Sequence, residues 1–332
     1  MLCEENITLL PNITLSNRLL RTFLKKGNID MSRFAIIGDS TCDLTDELRK
    51  EYDIDYCRMM VSWKNKDGKD KEMFASLSWE EISHKDYFDL VASGIRIFTT
   101  QVTEQEFDRV FESHLSQCED ILYIGCSSAL SASVSLALKI KNKYQEKYPC
   151  RRILVLDPLN SCMGQGLMLL TASKMREEGK TIDEVYAYLD EHKLEFHQLA
   201  TVENLDTLKR AGRVKASKAF FGNLFGVKPI LISDAKGNNF AIEKQKGRKN
   251  ALLRIVEMAK ERVVNPEKQV CWVSDAECAK EDMDLLVSHL RDDVHFQDVR
   301  VVPMGPIIGC TTGKGTVGVY FVGEKVTIVG EE

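Results

Sequence analysis

ILYIGCSSALSASVSLALK (residues 121–139) begins as an apolar strand and ends as a helix, with a run of small and hydroxyl residues at the join. Cys126, Ser127, Ser128, Ala129, Ser131 and Ser133 occupy that join, and no Gly-rich phosphate loop is written there. A strand that feeds a helix through a short polar turn is half of a βαβ unit. In an open parallel sheet, ligands bind outside the carboxyl ends of the strands, where such a turn presents hydroxyls and backbone N–H groups.

The same arrangement recurs on either side. Apolar runs FAIIG (34–38), IRIFT (95–99) and RILVL (152–156) each lead into a polar loop: Asp39-Ser40-Thr41-Cys42-Asp43, Thr99-Thr100-Gln101-Val102-Thr103 and Asp157-Pro158-Leu159-Asn160-Ser161. Helical segments separate the later runs, and Ser78 with Glu81, Thr103 with Glu106 and Thr181 with Glu184 read as capping boxes at helix starts. This alternation predicts right-handed βαβ units and a mainly parallel sheet covered on both faces. Parallel strands would gather these loops on one edge with helix N-termini behind them, a place for an anionic head group of modest size.

A second region begins near Gln198. It holds the basic stretch LDTLKRAGRVKASK (205–218), then AFFGNLFGVKPILI, a hairpin-like ISDAKGNNFAIEKQ, a helix over 248–263, strand QVCWVS, a helix over 279–291 and strands ending in GVYFVG. The fold class predicted is therefore α/β in two domains: a parallel-sheet α/β/α domain over 31–200 and a smaller α+β domain over 201–332. Residues 1–30 read as an extension, either a disordered arm or the product of a start assigned upstream of the natural one. The second alternative rests on Lys25-Lys26-Gly27, whose purine-rich codons resemble a ribosome-binding site before Met31.

Composition narrows the function classes. The chain has 332 residues and a net charge of −5 with its basic residues scattered, which lacks the basic stripe of a nucleic-acid-binding protein. No apolar run approaches the roughly 20 residues of a membrane span. Ten cysteines include no C-x-x-C pair, and the six histidines are not spaced with them as zinc ligands, so a reduced, cytoplasmic protein is expected. No G-x-G-x-x-G follows the first strand, which argues against a dinucleotide. GCTTGKGTVG (309–318) has the wrong spacing for a P-loop and precedes a strand rather than a helix. Gly125-Cys126-Ser127-Ser128-Ala129 fits G-x-S-x-A, so an esterase using Ser127 is the alternative; it would need a histidine base from His192, His197, His289 or His295.

Taken together, FAIIGDSTCDL, FTTQVT, SSALSASVSLA, LDPLNSCMGQG, LKRAGRV and GPIIGCTTGKG, in this order and spacing from about Arg33 to Val329, resemble the DegV family of fatty-acid-binding proteins. The resemblance implies a bacterial, non-enzymatic carrier with no cofactor, holding a long-chain fatty acid in a tunnel between its two domains. It also implies a partner, a dihydroxyacetone-kinase-like fatty acid kinase that phosphorylates the presented carboxylate. Matched onto the family's hydroxyl loops, Thr99 and Ser131 are the first choices for hydrogen bonds to the carboxylate, with Thr100 and Ser128 in support. Arg213 matches the arginine of the family's Gly-Gly-Arg turn and is expected near the head group; the residues alone favour a solvated basic turn beside Lys209, Arg210 and Lys215. Asp39, Ser40, Thr311, Thr312 and Lys314 lie on the further head-group loops.

The chain departs from the family pattern. Thr311-Thr312-Gly313-Lys314-Gly315 stands where the family reads His-Thr-Gly-Pro-Gly, so an imidazole is missing and Lys314 replaces a proline. Val102 replaces another proline, and Ala132 and Ala211 replace glycines. These changes put phosphorylation by a partner in question more than acyl binding, and leave room for a degenerate member binding another amphiphile. Met163, Leu167, Met168, Phe220, Phe221, Leu224 and Phe225 are the candidate wall of the tunnel.

Overall fold

Strand β1 (Phe34–Asp39) is buried along its whole length, as an unbroken apolar run requires when a sheet is covered on both faces. After helix α1 (Asp46–Glu51), strand β2 (Ile54–Cys57) pairs with it in parallel. The computed structural model describes residues 34–203, 205–216, 220 and 226–330. Residues 1–30, and Phe221, Leu224 and Phe225 of the expected wall, lie outside the described residues.

Strands β3 (Met60–Lys64) and β4 (Asp70–Phe74), helix α2 (His84–Ala92) and strand β5 (Ile97–Thr99) come next. Here the structure corrects the sequence reading. The run at 95–99 does not join the parallel sheet; β5 pairs antiparallel with β3 in a separate sheet of order β4-β3-β5. Periodicity reports how a strand is buried, not which strand it pairs with, and a three-residue strand carries little of either signal.

The chain returns to the parallel sheet through α3 (Glu104–Leu115), β6 (Asp120–Ile124), α4 (Ser133–Lys147) and β7 (Ile153–Leu156), giving the order β2-β1-β6-β7 with every pairing parallel. Helices α5 (Cys162–Glu177) and α6 (Ile182–His192) follow. At the expected helix starts, Thr181 and Glu184 form a complete capping box. Thr103 accepts from Glu106 N, but the Glu106 carboxylate turns to Arg58 and Arg109 instead. Ser78 caps nothing; its hydroxyl bonds Asp46, and α2 starts later, with Ser83 accepting from Asp86 N.

Strands β8 (Phe196–Thr201), β9 (Val227–Ser233), β10 (Asn239–Lys246), β11 (Val270–Asp275), β12 (Asp298–Pro303) and β13 (Val317–Val322) form a mixed sheet of order β10-β9-β8-β13-β11-β12. Helix α7 (Leu205–Ala211) lies between β8 and β9, α8 (Arg248–Arg262) and α9 (Lys280–Asp292) flank β11, and α10 (Pro306–Thr312) precedes β13. Helix α5 packs against β1 on one side and against β8, β11 and β13 on the other, so it joins the two large sheets. That position explains CMGQGLMLL: a helix covered on all sides is apolar or small on all sides. Gly166 has no room for a methyl, since a Cβ there would stand 2.4 Å from the Cys42 carbonyl oxygen. Among the described residues, no helix is long and apolar enough to cross a membrane.

Candidate functional site

A cavity of about 520 Å³ lies where the loops after β1, β5 and β6 meet residues from the second half of the chain. Thr99, Thr100, Ser128, Ser131, Arg213 and Thr311 line it, from segments far apart in sequence. Met59, Leu130, Ile307 and Ile308 supply apolar wall. Although β5 belongs to another sheet than anticipated, its carboxyl end still delivers Thr99 beside the β6 loop.

Ser131 is held in a defined orientation. Ser133 Oγ accepts a hydrogen bond from Val102 N at 3.1 Å and lies 3.0 Å from Ser131 Oγ. Ser131 Oγ also accepts from Ser133 N at 3.3 Å. Ser133 is fully buried, so its hydroxyl proton is best satisfied on Ser131 Oγ, which leaves the Ser131 proton for the cavity. Behind it, α4 starts at Ser133 with Ala132 as an N-cap that has no side chain to offer. Ala132 and Ser135 line the cavity, so this N-terminus, whose first N–H is taken by Ser131 Oγ, turns its partial positive charge on the same space. The Thr99 and Ser128 hydroxyls have no hydrogen-bond partner among the described residues. Thr100 Oγ1 accepts from Met60 N at 3.2 Å and keeps its own proton to give. Arg213 is exposed, its guanidinium donating to the Ala211 carbonyl at 2.6 Å, and is the one ionised side chain among the described lining residues. Hydroxyl donors, a helix N-terminus and one guanidinium around an apolar-walled cavity suit a carboxylate with a hydrocarbon tail.

Other residues expected near a head group do different work. Asp39 is fully buried behind the cavity, where Oδ1 accepts from Thr41 N (3.0 Å) and Gln165 Nε2 (3.2 Å), and Oδ2 from Tyr123 OH (3.1 Å) and Cys126 N (3.0 Å). It ties the loops after β1 and β6 to helix α5. Ser40 Oγ accepts from Met59 N at 2.9 Å, fixing the adjoining strand. Thr311 lines the cavity but donates its proton to the Ile308 carbonyl at 2.8 Å, so it offers only lone pairs to the space. Thr312 is buried and donates to the same carbonyl at 2.9 Å. Lys314 is paired with Asp89 at 2.5 Å, outside the lining. Lys314 and Lys85 together hold the Asp89 carboxyl down at about 2.

Ser127 corrects the esterase expectation. Its Oγ is buried and donates to the Gly237 carbonyl at 2.9 Å, in the turn between β9 and β10. Among the described residues none of the six histidines bonds it: they meet Glu277, Asp55 and Glu119, Glu195, the Glu324 carbonyl and Asp293, and His295 has no partner there. An elbow serine needs an open hydroxyl with a base in reach, and among the described residues Ser127 has neither. The expected wall also moves. Met163, Leu167 and Met168 belong to the core beneath the parallel sheet, and Phe220 to a cluster with Leu208 and Leu231, so none lines this cavity. A helix buried on all sides has the composition of a tunnel wall without being one. Sequence reasoning passed over Thr41, Gln101 and Asn239, which do line it; Thr41 and Gln101 stood inside loops already singled out, whereas Asn239 carried only a turn signal.

The family model described as "Uncharacterised protein, DegV family" matches residues 33–324. A DegV domain-containing protein of Clostridium perfringens is 33% identical over 294 residues, covering 89% of this chain and 99% of that one. Among solved structures, a fatty-acid-binding DegV family protein from Thermus thermophilus superposes with a TM-score of 0.76 at 25% identity, covering 88% and 100% of the two chains. A Thermotoga maritima protein whose structure is described as revealing fatty acid binding function gives 0.71 at 25% identity, covering 88% and 99%. With its fold shared over 88% of its length by these solved structures and the family model matching residues 33–324, the chain belongs to the DegV family.

Proposed function

We propose that this protein binds a long-chain fatty acid, its carboxylate held by Ser131, Thr99 and the N-terminus of α4, with Thr100, Ser128 and Arg213 in support. The observation that carries the reading is the hydrogen-bond relay from Val102 N through Ser133 to Ser131, which aims a proton into a cavity with apolar walls. The volume falls within the range of roughly 300–1,000 Å³ usual for small-molecule sites. At about 0.8 kcal/mol per buried CH₂, a tail of some fourteen methylenes would gain on the order of 10 kcal/mol before ordering costs, so the tail sets affinity and the hydroxyls set direction. Native mass spectrometry of the purified protein tests this directly. A bound mass matching a fatty acid, or uptake of added palmitate, is expected; folded protein that carries none and takes up none refutes it.

The reading extends to presentation of the bound acid to a separate dihydroxyacetone-kinase-like fatty acid kinase. It is supported by the exposure of Arg213, Thr100 and Gln101, which leaves the carboxylate end of the cavity open to a second protein. Incubation with such a kinase from the same cell, ATP and hydroxylamine is expected to yield the acyl hydroxamate. No hydroxamate with an active kinase would limit the role to binding.

A further inference from the structure

The cavity holds more hydrogen-bond donors than a carboxylate can use. A carboxylate has two oxygens with about four lone-pair sites. The hydroxyls of Ser131, Thr99, Thr100 and Ser128 already match that number, before the N-terminus of α4 or Arg213 is counted. Thr41 also lines the space, but its single proton is spent inside the protein, between Asp39 Oδ1 at 2.5 Å and Gln165 Oε1 at 2.6 Å. Gln101 is exposed and meets solvent. Asn239, at the start of β10, differs from both. Its Oδ1 accepts from Gln198 Nε2 at 2.8 Å, and Gln198 Oε1 in turn accepts from Ser161 Oγ at 3.4 Å. Gln198 and Ser161 are buried, so this row holds the Asn239 amide in one sense. With Oδ1 spent, Nδ2 on the other side of the planar amide has no partner among the described residues, and Asn239 lines the cavity.

We propose that Asn239 is a specificity-determining residue whose Nδ2–H reads an oxygen on one of the first carbons of the acyl chain, so that the preferred ligand is a hydroxy fatty acid. The inference rests on the fatty-acid reading of the cavity. Its position follows from the chain. Two residues before Asn239, Gly237 O accepts from Ser127 Oγ at 2.9 Å, and Ser127 O accepts from Ser131 N at 3.0 Å. Two residues span about 7 Å at most, so Asn239 stands on the Ser131 side of the space, toward the carboxyl end. A plain hydrocarbon laid against Nδ2 would cut that N–H off from water and give it nothing in return. A hydroxyl accepts the bond. Thr311 supplies the complementary half, because its Oγ1 presents lone pairs to the same cavity, which a carboxylate cannot use and a hydroxyl proton can.

Calorimetry with palmitate, 2-hydroxypalmitate and 3-hydroxypalmitate, the last two as separate enantiomers, tests this. At least one hydroxy acid is expected to bind wild type about fivefold more tightly than palmitate, with its mirror image no better than palmitate. Asn239→Leu should erase that preference while holding palmitate affinity within about twofold, which also certifies that the variant folds. Gln198 lies outside the lining, so Gln198→Met touches no ligand; by releasing the Asn239 amide it should reduce the preference as well. Hydroxy acids that bind wild type no more tightly than palmitate, or a preference that survives Asn239→Leu, overturn the proposal. If Asn239→Leu binds nothing, Gln198→Met decides in its place, and an unchanged preference there overturns the role of Asn239. Wild-type protein that binds none of the acids overturns the fatty-acid reading as well, whereas palmitate binding without a preference overturns the role of Asn239 alone.

Discussion

Ser127 and Ser131 stand four positions apart in one loop, and their hydroxyls face opposite duties. Ser127 belongs to the seam between the two large sheets, where it donates to Gly237 O at 2.9 Å. Ser233 Oγ meets Leu159 O there at 2.7 Å, Asn160 Nδ2 meets Phe196 O at 2.8 Å, and Asp43 accepts from Ser274 Oγ and Gly305 N, both at 2.9 Å. Ser131 belongs to the cavity, where its proton and the hydroxyls of Thr99 and Ser128 have nothing to bind among the described residues. The seam satisfies its polar groups and so fixes the halves against each other; the cavity leaves some open and so asks for a ligand. Substitutions at the seam should therefore cost stability, and substitutions at the cavity should cost affinity.

Asp39 gives the largest test. Although it lies next to the cavity, its donors are all internal, so Asp39→Ala should lose roughly 3–5 kcal/mol in urea denaturation, because buried donors aimed at a carboxylate are left unpaired. A stable variant with weakened ligand binding would instead move Asp39 into the site.

Asp43 follows, through pH. Burial pushes its carboxyl up to about 6 from an ordinary 3.8, against the opposing pull of hydrogen bonds from Cys162, Gly305 and Ser274. A raised carboxyl favours the protonated form in the fold. Its stabilising contribution is complete below 3.8 and lost as pH rises through about 6. Asp43→Asn should remove that slope, on the order of 3 kcal/mol across the window, while acyl binding stays unchanged. A wild-type stability curve that is flat over the same window contradicts the assignment.

Gly237 is next. Its φ of +77° lies in the left-handed region, and an added Cβ would stand 2.2 Å from Ser127 Oγ and 2.9 Å from Leu159 Cα. Gly237→Ala should cost roughly 2 kcal/mol by opening the seam, read as a lower denaturation midpoint. Ser131→Ala carries the smallest change in stability, about 1 kcal/mol from the acceptor taken away from the buried Ser133 hydroxyl, yet should weaken fatty-acid binding by about tenfold. The reverse pattern would merge the two regions and break the comparison.

What the sequence disclosed follows the same division. The strand-to-helix joins after β1, β6 and β7 were legible because apolar runs ending in small polar residues have few other uses, and the hairpin at Asp234–Asn238 announced itself through Gly237. The sheet containing β5 was not legible, since pairing partners leave no local mark. Nor was the split between Ser127 and Ser131: both are hydroxyls in one polar turn, and only the approach of the distant β9–β10 turn commits the first to structure. Met163 and Met168 show the converse limit, because apolar residues on a helix look alike whether they face a ligand or a second sheet.

The central claim is that the cavity reads a carboxylate, not merely a hydrocarbon. Affinities of palmitate and hexadecanol, measured for wild type and for Thr99→Val/Ser131→Ala, test it most directly. Wild type should prefer the acid by roughly tenfold or more, and the double variant should lose that preference while still binding the alcohol. Equal affinity of wild type for acid and alcohol, or a preference that survives the double substitution, would contradict the account.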